Sequence, residues 1–255
     1  MKTFRLIGMA LLAIMLCVNF TGCSKENPTD DETLTKPKKL IGMKEIDYSG
    51  THIWEFSYDS KDRLSSIIYT NDWSNHQTQR VTHFTWNSFT ITAESDYETR
   101  TYTLDNNLVK TIRCDQHSYW NNAEFSYNSS NQLLITENTT NTYTEYHKYI
   151  WENEKISKIT HINDYYTDIT YSGKTCKGYF PFYNSYDDIF YAHPELIGLR
   201  NSQLPKQIFY KEKRDLTEEY SYTFDKDGYI EKCTIVSTDI SNMQTSTTVY
   251  TLKWE

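Results

Sequence analysis

The residues best suited to acid–base or metal chemistry are seven histidines and many carboxylates, and their spacing matches no known catalytic or metal-binding pattern. The histidines form no HExxH or HxH arrangement, so we expect solvated side chains rather than metal ligands. GxSxG, P-loop and GxGxxG motifs are also absent from the sequence. We therefore predict no catalytic residue, no metal and no cofactor. A hydrolase with dispersed carboxylates remains open, because such a pair need only lie about 5–9 Å apart in space.

Aromatic residues are the second group with binding chemistry, with six Trp and 22 Tyr in the chain. Most of them alternate with polar residues, as core positions of β-strands do. Four others lie in polar linking segments, where exposed aromatic residues are more often functional. Flat aromatic faces beside Asn and Asp suit sugar rings, although loop aromatics also fold back as lids over barrel ends. The candidate ligand contacts are Trp73, Trp120, Tyr165 and Tyr166.

The N-terminus has the layout of an export signal. Two cations, Lys2 and Arg5, precede an apolar run over residues 6–18, which is too short to span a membrane and typical of a signal peptide. The run ends at Phe20-Thr21-Gly22-Cys23, which resembles a bacterial lipoprotein signal. We predict a signal peptide over 1–22 and acylation of Cys23; an ordinary secretory signal is the alternative. Cys114, Cys176 and Cys233 show no CxxC spacing and are predicted to be buried thiols.

Residues 23–39 are predicted to be a disordered tether, because they are polar, charged and free of aromatic side chains. The acidic run Asp30-Asp31-Glu32 resembles the surface-export signal of Bacteroidetes lipoproteins. The prediction is a lipid-anchored outer-membrane protein that faces the cell surface, with the periplasmic face as alternative. Loss of Lys2 and Arg5 with the signal takes the net charge from −8 to −10, which disfavours nucleic acid as a partner.

Residues 40–255 carry the pattern of an all-β domain. Period-two alternation recurs between Asx-rich hairpin signals. These signals predict an antiparallel up-and-down meander of about 14–17 strands, curled into a soluble barrel or a strongly curved sheet. One face of each strand is polar, which argues against a membrane-embedded barrel. The predicted short turns lie at 59–62, 87–88, 105–107, 128–131, 152–154, 172–174 and 225–228.

Successive connections of such a meander alternate between its two ends. The longer links near 70–79, 115–122, 138–143 and 163–167 should therefore share one end and bring the four loop aromatics together. Beyond a predicted strand at 175–180, helical spacing of apolar residues predicts one helical insert near 187–199. The short turns before and after this insert fall at the same end only if the helix crosses from one end to the other. We therefore expect it to traverse the sheet, packed against its apolar face or plugging the barrel.

Two stretches resemble a known family: Gly198-Leu199-Arg200-Asn201-Ser202-Gln203-Leu204-Pro205-Lys206 and Tyr222-Thr223-Phe224-Asp225-Lys226-Asp227-Gly228-Tyr229. They are similar to a Bacteroidetes lipoprotein family of unknown function with a porin-like β fold, in which Asn is usual at the position of Gln203. The resemblance implies the fold and the envelope location, and it transfers no catalytic residue.

These features predict a cell-envelope lipoprotein that acts as a non-catalytic surface binding module for a glycan or protein ligand. Its expected partners are the membrane, through the lipid anchor, and that ligand. The first alternative is a structural or assembly component of an envelope complex, and the second is the hydrolase with dispersed carboxylates.

Overall fold

A computed structural model describes residues 37–73, 76–115, 122–140, 142–178, 187–199, 203–212 and 215–255. These residues form sixteen β-strands. In chain order, β1 to β16 span Leu40–Asp47, Gly50–Tyr58, Leu64–Trp73, His76–Trp86, Thr90–Glu94, Thr99–Asp105, Leu108–Cys114, Asn122–Tyr127, Leu133–Thr139, Thr144–Glu152, Lys155–Thr160, Tyr166–Thr175, Gln203–Lys211, Leu216–Phe224, Ile230–Asp239 and Gln244–Trp254.

The strands close into a barrel. Each strand pairs antiparallel with its neighbours in sequence, and β1 pairs with β16. In this closing pair Met43 lies opposite Leu252 and Ile46 lies opposite Val249. The predicted up-and-down meander is confirmed, and β1 and β16, which would be the edge strands of an open sheet, pair with each other.

Short turns join most hairpins at one end of the barrel, and the side chains of Asp59, Asn128 and Asp225 satisfy the backbone of three of these turns. Asp59 Oδ1 accepts hydrogen bonds from the N–H of Lys61 (2.8 Å) and Arg63 (3.0 Å), and Asp225 Oδ1 accepts one from Asp227 (2.9 Å). We call this the short-turn end and the opposite one the long-loop end. The short-turn end has the links 59–63, 87–89, 106–107, 128–132, 153–154, 176–202 and 225–229, and the long-loop end has 48–49, 74–75, 95–98, 115–121, 140–143, 161–165, 212–215 and 240–243.

The predicted turn at 172–174 is wrong, because β12 continues through these residues to Thr175. Gly173, with φ of 75°, lies in a part of β12 where the pairing register with β13 shifts. Glycine here accommodates an irregular strand instead of reversing the chain. The described part of the predicted strand 175–180 is also not a new strand, since Lys177 forms only an isolated bridge to Tyr229. The insert therefore begins and ends at the short-turn end.

The insert near 187–199 is helical but broken. It contains the α-helix α1 (Ile189–Ala192) and a 3₁₀ turn (Pro194–Ile197), separated by His193 at φ −133° and ψ 61°. Proline disfavours helical geometry in the residue before it and has no N–H to continue the helix, which explains the break. The predicted helical insert near 187–199 is confirmed, although it forms two short helical segments instead of a single helix.

The insert plugs the barrel from one end. Its apolar side chains belong to the same buried core as the inward-facing strand residues. The predicted crossing of the sheet is wrong, since the residues before and after the insert both lie at the short-turn end, whereas the predicted plug is confirmed. The buried members of this segment are Ile189, Phe190, Pro194, Leu196, Ile197 and Leu199.

The outer wall of the barrel is polar. On β14, the exposed Glu219, Ser221 and Thr223 alternate with aromatic residues packed against the core. Apolar residues also occur on the outer wall, where Val81 lies opposite Ile68 and is 36% exposed and Val236 is 37% exposed. In the described part of the chain, no helix combines the length and apolar character needed to cross a membrane.

Candidate functional site

The barrel interior opens toward the long-loop end. Along β16, the inward-facing positions change from exposed Ser246 through half-buried Thr248 to buried Leu252. Along β4, the same gradient runs from exposed Thr78 to buried Phe84. The lumen is therefore accessible from the long-loop end and filled by the apolar core and the plug at the short-turn end.

Large apolar side chains surround this opening. Tyr48 is 90% exposed, Tyr97 68% and Trp73 61%, and each lies on a different link or strand end of the long-loop end. At the short-turn end, the corresponding exposed residue among the described ones is Phe89, at 74%. Single exposed hydrophobic residues are ordinary, but their collection at one end of a barrel indicates an interaction surface. We define the rim as Tyr48, Trp73, Tyr97, Tyr143, Ile162, Ile240 and Met243.

Below the rim, polar side chains line the lumen near β1 and β2. The Tyr250 hydroxyl donates to Glu45 Oε1 (2.8 Å), and burial raises the pKa of the Glu45 carboxyl. His52 Nδ1 lies 2.8 Å from the Tyr69 hydroxyl. Burial acts to raise the pKa of Asp47, but hydrogen bonds from Ser49 and Gly50 outweigh it and the pKa is lowered. This part of the lumen offers hydroxyl, imidazole and carboxylate groups to a ligand.

A second polar group in the lumen centres on Glu218 of β14. Its Oε2 accepts hydrogen bonds from the hydroxyls of Tyr210 (2.9 Å) and Tyr220 (2.6 Å), and its Oε1 accepts one from Ser237 (3.3 Å). Burial is the main cause that raises the pKa of both tyrosines, so they remain protonated donors. Such a group supplies fixed hydrogen-bonding geometry rather than a nucleophile.

Two histidines pack together further around the lumen. The rings of His147 and His161 lie 4.6 Å apart between centroids, nearly perpendicular, and His161 Nε2 is 3.0 Å from Thr167 Oγ1. Burial, followed by the neighbouring His147, lowers the pKa of His161. Within the described residues, no group of three or more His, Cys, Asp or Glu is arranged to hold a metal ion.

The floor of the lumen holds the first ion pair of the plug. Asp187 Oδ2 accepts hydrogen bonds from Arg100 Nη1 and from the Tyr102 hydroxyl, each at 2.5 Å. Arg100 also pairs with Glu98. Burial, followed by the negative charge of Asp187, raises the pKa of Tyr102 well above its ordinary value. These contacts join the plug to β6.

The adjacent residue forms the second ion pair of the plug. Asp188 accepts hydrogen bonds from Arg80 Nη2 (2.9 Å) and Trp54 Nε1 (3.2 Å), and burial, followed by the charge of Asp187, raises its pKa. The cavity between Arg80, Arg100 and the two aspartates has a volume of only about 10 Å³, the space of one water. The floor therefore holds the insert in place and leaves no room for a ligand.

Known proteins resemble this chain in structure rather than in sequence. No protein-family model and no curated protein matches it. A porin-like protein from Bacteroides uniformis superposes with a TM-score of 0.68 at 15% identity, covering 86% of this chain and 98% of that one. A porin-like protein from Bacteroides vulgatus gives 0.59 at 12% identity, covering 86% and 99%. The fold is that of a porin-like barrel. At such identities the likeness concerns the fold alone.

The structure describes three of the four predicted contact residues, all at the long-loop end of the porin-like barrel. Trp73 belongs to the rim, Tyr165 is half-buried beside the 3₁₀ turn Ile162–Asp164, and Trp120 lies outside the described residues. Tyr166 faces the outer wall, where Lys158 Nζ lies 4.0 Å from its ring centroid. Trp73 is thus the predicted residue that the structure places on the rim.

The other rim residues lie on short links without a tryptophan, so the sequence pattern did not indicate them as contact residues. Tyr48 directly follows β1, and Tyr97 stands in the four-residue link 95–98. A break in period-two alternation marks each link in the sequence. Assigning each link to one end of the barrel would then have placed these residues together. Tyr143, Ile240 and Met243 follow the same rule.

A separate cleft of about 380 Å³ lies at the short-turn end, on the outside of the porin-like barrel. It forms because the pairing of β7 with β8 stops at Thr111 and Glu124. Part of its polar lining is already occupied, since Asn128 Nδ2 donates to Gln132 Oε1 at 2.7 Å and Asn128 Oδ1 accepts from Ser130. The rim is the stronger candidate, because Tyr48, Tyr97 and Trp73 are 90%, 68% and 61% exposed.

Proposed function

We propose that this chain is an envelope lipoprotein, anchored through Cys23, whose barrel binds a ligand at the rim without catalysis. The observation that carries the proposal is the collection of exposed aromatic and aliphatic side chains at one end, around an accessible polar lumen. Porin-like neighbours from Bacteroides support an envelope location. The ligand is a glycan or a protein, because aromatic faces beside hydroxyl and carboxylate groups suit either.

The proposed anchor directs the rim away from the membrane. Lys39 N–H donates to Glu255 O at 2.6 Å, and Lys38 forms ion pairs with Asp225 and Asp227, so the chain enters the barrel at the short-turn end. The predicted tether over residues 23–39 would reach roughly 20 Å as a flexible chain. Cys23 lies outside the described residues. An acylated Cys23 would hold the plugged end nearest the bilayer and present the rim to the outside of the cell.

The first prediction concerns the anchor. We expect Cys23→Ala to shift the protein from the detergent phase to the aqueous phase in a Triton X-114 partition, because acyl chains contribute about 0.8 kcal/mol per buried methylene. Wild-type protein and Cys17→Ala, which changes a cysteine of the predicted signal peptide, are the controls and should both remain in the detergent phase. Detergent partitioning of Cys23→Ala would contradict the lipoprotein proposal.

The second prediction concerns the rim. We expect Trp73→Ala combined with Tyr97→Ala to weaken ligand binding at least about tenfold, since exposed aromatic anchors carry much of a binding energy. The measurement is a glycan-array screen of the wild type, followed by titration of any glycan it binds. Phe89→Ala is the matched control, because Phe89 is 74% exposed at the opposite end.

Equal losses in the rim variant and in Phe89→Ala would contradict a binding site at the rim. A wild type that binds no glycan but is cross-linked in cells through a photoreactive residue at Tyr97 would indicate the protein ligand. Turnover of an array glycan would favour the hydrolase alternative.

A further inference from the structure

Acidic side chains accompany the apolar residues of the rim. The long-loop-end links contain six acids in the sequence, against two bases, Lys213 and Arg214, which lie outside the described residues. The strand ends beside these links add two exposed acids, Asp72 and Glu94, and two exposed bases, Arg113 and Lys211. The six acids are Asp96, Glu98, Asp115, Asp164, Glu212 and Asp215.

Most of these carboxylates have no cation beside them. Glu98 and Asp215 pair with Arg100 and Lys211, but Asp72, Glu94, Asp96, Asp115, Asp164 and Glu212 form no ion pair with a described residue. Six carboxylates at this end therefore have no ion-pair partner among the described residues. Unpaired surface charges attract partners of opposite charge and speed their association.

The short-turn end differs in this respect. Four of its carboxylates, Asp59, Asp62, Asp225 and Asp227, form ion pairs, whereas Asp105, Glu152 and Glu154 form none with a described residue, so this end has fewer unpaired carboxylates than the long-loop end. The pairs join Lys38 to Asp225 and Asp227, Lys39 to Asp62, and Arg63 to Asp59.

The spread of the rim favours a macromolecular surface over a single sugar. Sixteen strands about 4.8 Å apart give a perimeter of roughly 75 Å before strand tilt is counted. The rim residues occupy links or strand ends all around this perimeter. A protein surface that buries about 800 Å² per partner can contact several of them at once.

We propose that the rim docks onto a positively charged protein surface. This inference rests on the proposed function and names its partner. Lys and Arg side chains of the partner would pair with the rim carboxylates and lie over the faces of Trp73, Tyr48 and Tyr97, where cation–π attraction adds to the ion pairs. The acidic charge selects the partner, and the aromatic side chains supply the buried area.

The test uses the full mature protein and fluorescein-labelled decalysine as a probe, with decaglutamate as the negative probe, and measures fluorescence anisotropy. We expect decalysine to bind at about 50 mM NaCl and to bind at least tenfold more weakly at about 300 mM, because salt screens exposed charges. The rim variant combines Asp72→Asn, Glu94→Gln and Asp96→Asn. The matched control combines Asp105→Asn, Glu152→Gln and Glu154→Gln, which remove the same charge from exposed positions at the short-turn end.

We expect the rim variant to weaken decalysine binding about tenfold and the control variant by less than about twofold. Trp73→Ala should weaken it further, and Phe89→Ala should not. Equal losses in the two charge variants, or no binding of decalysine, would overturn the inference. Capture of a neutral glycan that depends on Trp73 and Tyr97, without binding of decalysine, would overturn it as well while leaving the proposed function intact.

Discussion

We expect Asp187→Ala to lower the free energy of unfolding by about 3–5 kcal/mol, because it removes the acceptor of the buried Tyr102 hydroxyl and one of the carboxylates that pair with Arg100. The Asp187 side chain is only 6% exposed and accepts from Arg100 and from the fully buried Tyr102. Alanine removes the carboxylate while the guanidinium remains desolvated. The measurement is urea-induced unfolding followed by tryptophan fluorescence.

Asp168→Ala is the matched control for this effect. Asp168 pairs with Lys158 at 3.1 Å on the outer wall, where its side chain is 43% exposed. An exposed ion pair contributes at most about 1 kcal/mol, since water replaces the lost partner. Similar losses for Asp187→Ala and Asp168→Ala would show that the floor of the lumen does not hold the insert as described.

The barrel could be predicted from the sequence because its signals are local. Period-two alternation and Asx turns each need only a few neighbouring residues, and a meander pairs each strand with the next one along the chain. The failures occur where a local signal has two structural meanings. Ser172 and Gly173 satisfy a turn pattern, but the same residues fit an irregular strand, and only the pairing with β13 distinguishes the two.

The break in the helical insert lies at His193, directly before Pro194. Pro194 already indicated that a helix could not pass it unchanged. The apolar spacing predicted one buried face, and Ile189, Leu196 and Leu199 are buried, whereas Ala192 of the same pattern is half-buried. The crossing was inferred from a count of chain reversals, and one false turn at 172–174 reversed its result.

The candidate site depends on contacts between distant parts of the chain, and this explains why only part of it was predicted. Asp187 and Asp188 meet Arg100 and Arg80 across separations of 87 and 108 residues. No periodicity or motif brings such residues together. The rim, by contrast, follows from the alternation of successive links between the two ends of the barrel. Once each link is assigned to an end, Tyr48 and Tyr97 join Trp73 without further information.

The insert should also contribute decisively to stability through its apolar side chains. We expect Leu199→Asp to lower the free energy of unfolding by more than about 4 kcal/mol, or to prevent folding, because it places an unpaired carboxylate in the core. Leu199 is 3% exposed, and its N–H donates to Pro194 O at 3.2 Å. Gly198 before it, with φ of 69°, packs against the neighbouring turn so closely that an added side chain would collide with the Asn131 backbone oxygen.

Two matched substitutions test whether burial is the cause of the loss of stability in Leu199→Asp. Leu199→Met keeps the volume and should cost less than about 1.5 kcal/mol, and Ile135→Asp introduces the same charge on the outer wall, where Ile135 is 39% exposed. A surface substitution of this kind changes stability by roughly 0.5 kcal/mol. Urea unfolding of the three variants decides the matter. If Leu199→Asp were as stable as Ile135→Asp, the insert would be a peripheral loop, and the lumen would have to be filled in another way. If only Leu199→Asp unfolds, the plug is a structural part of the barrel, and ligand exchange is confined to the opposite end.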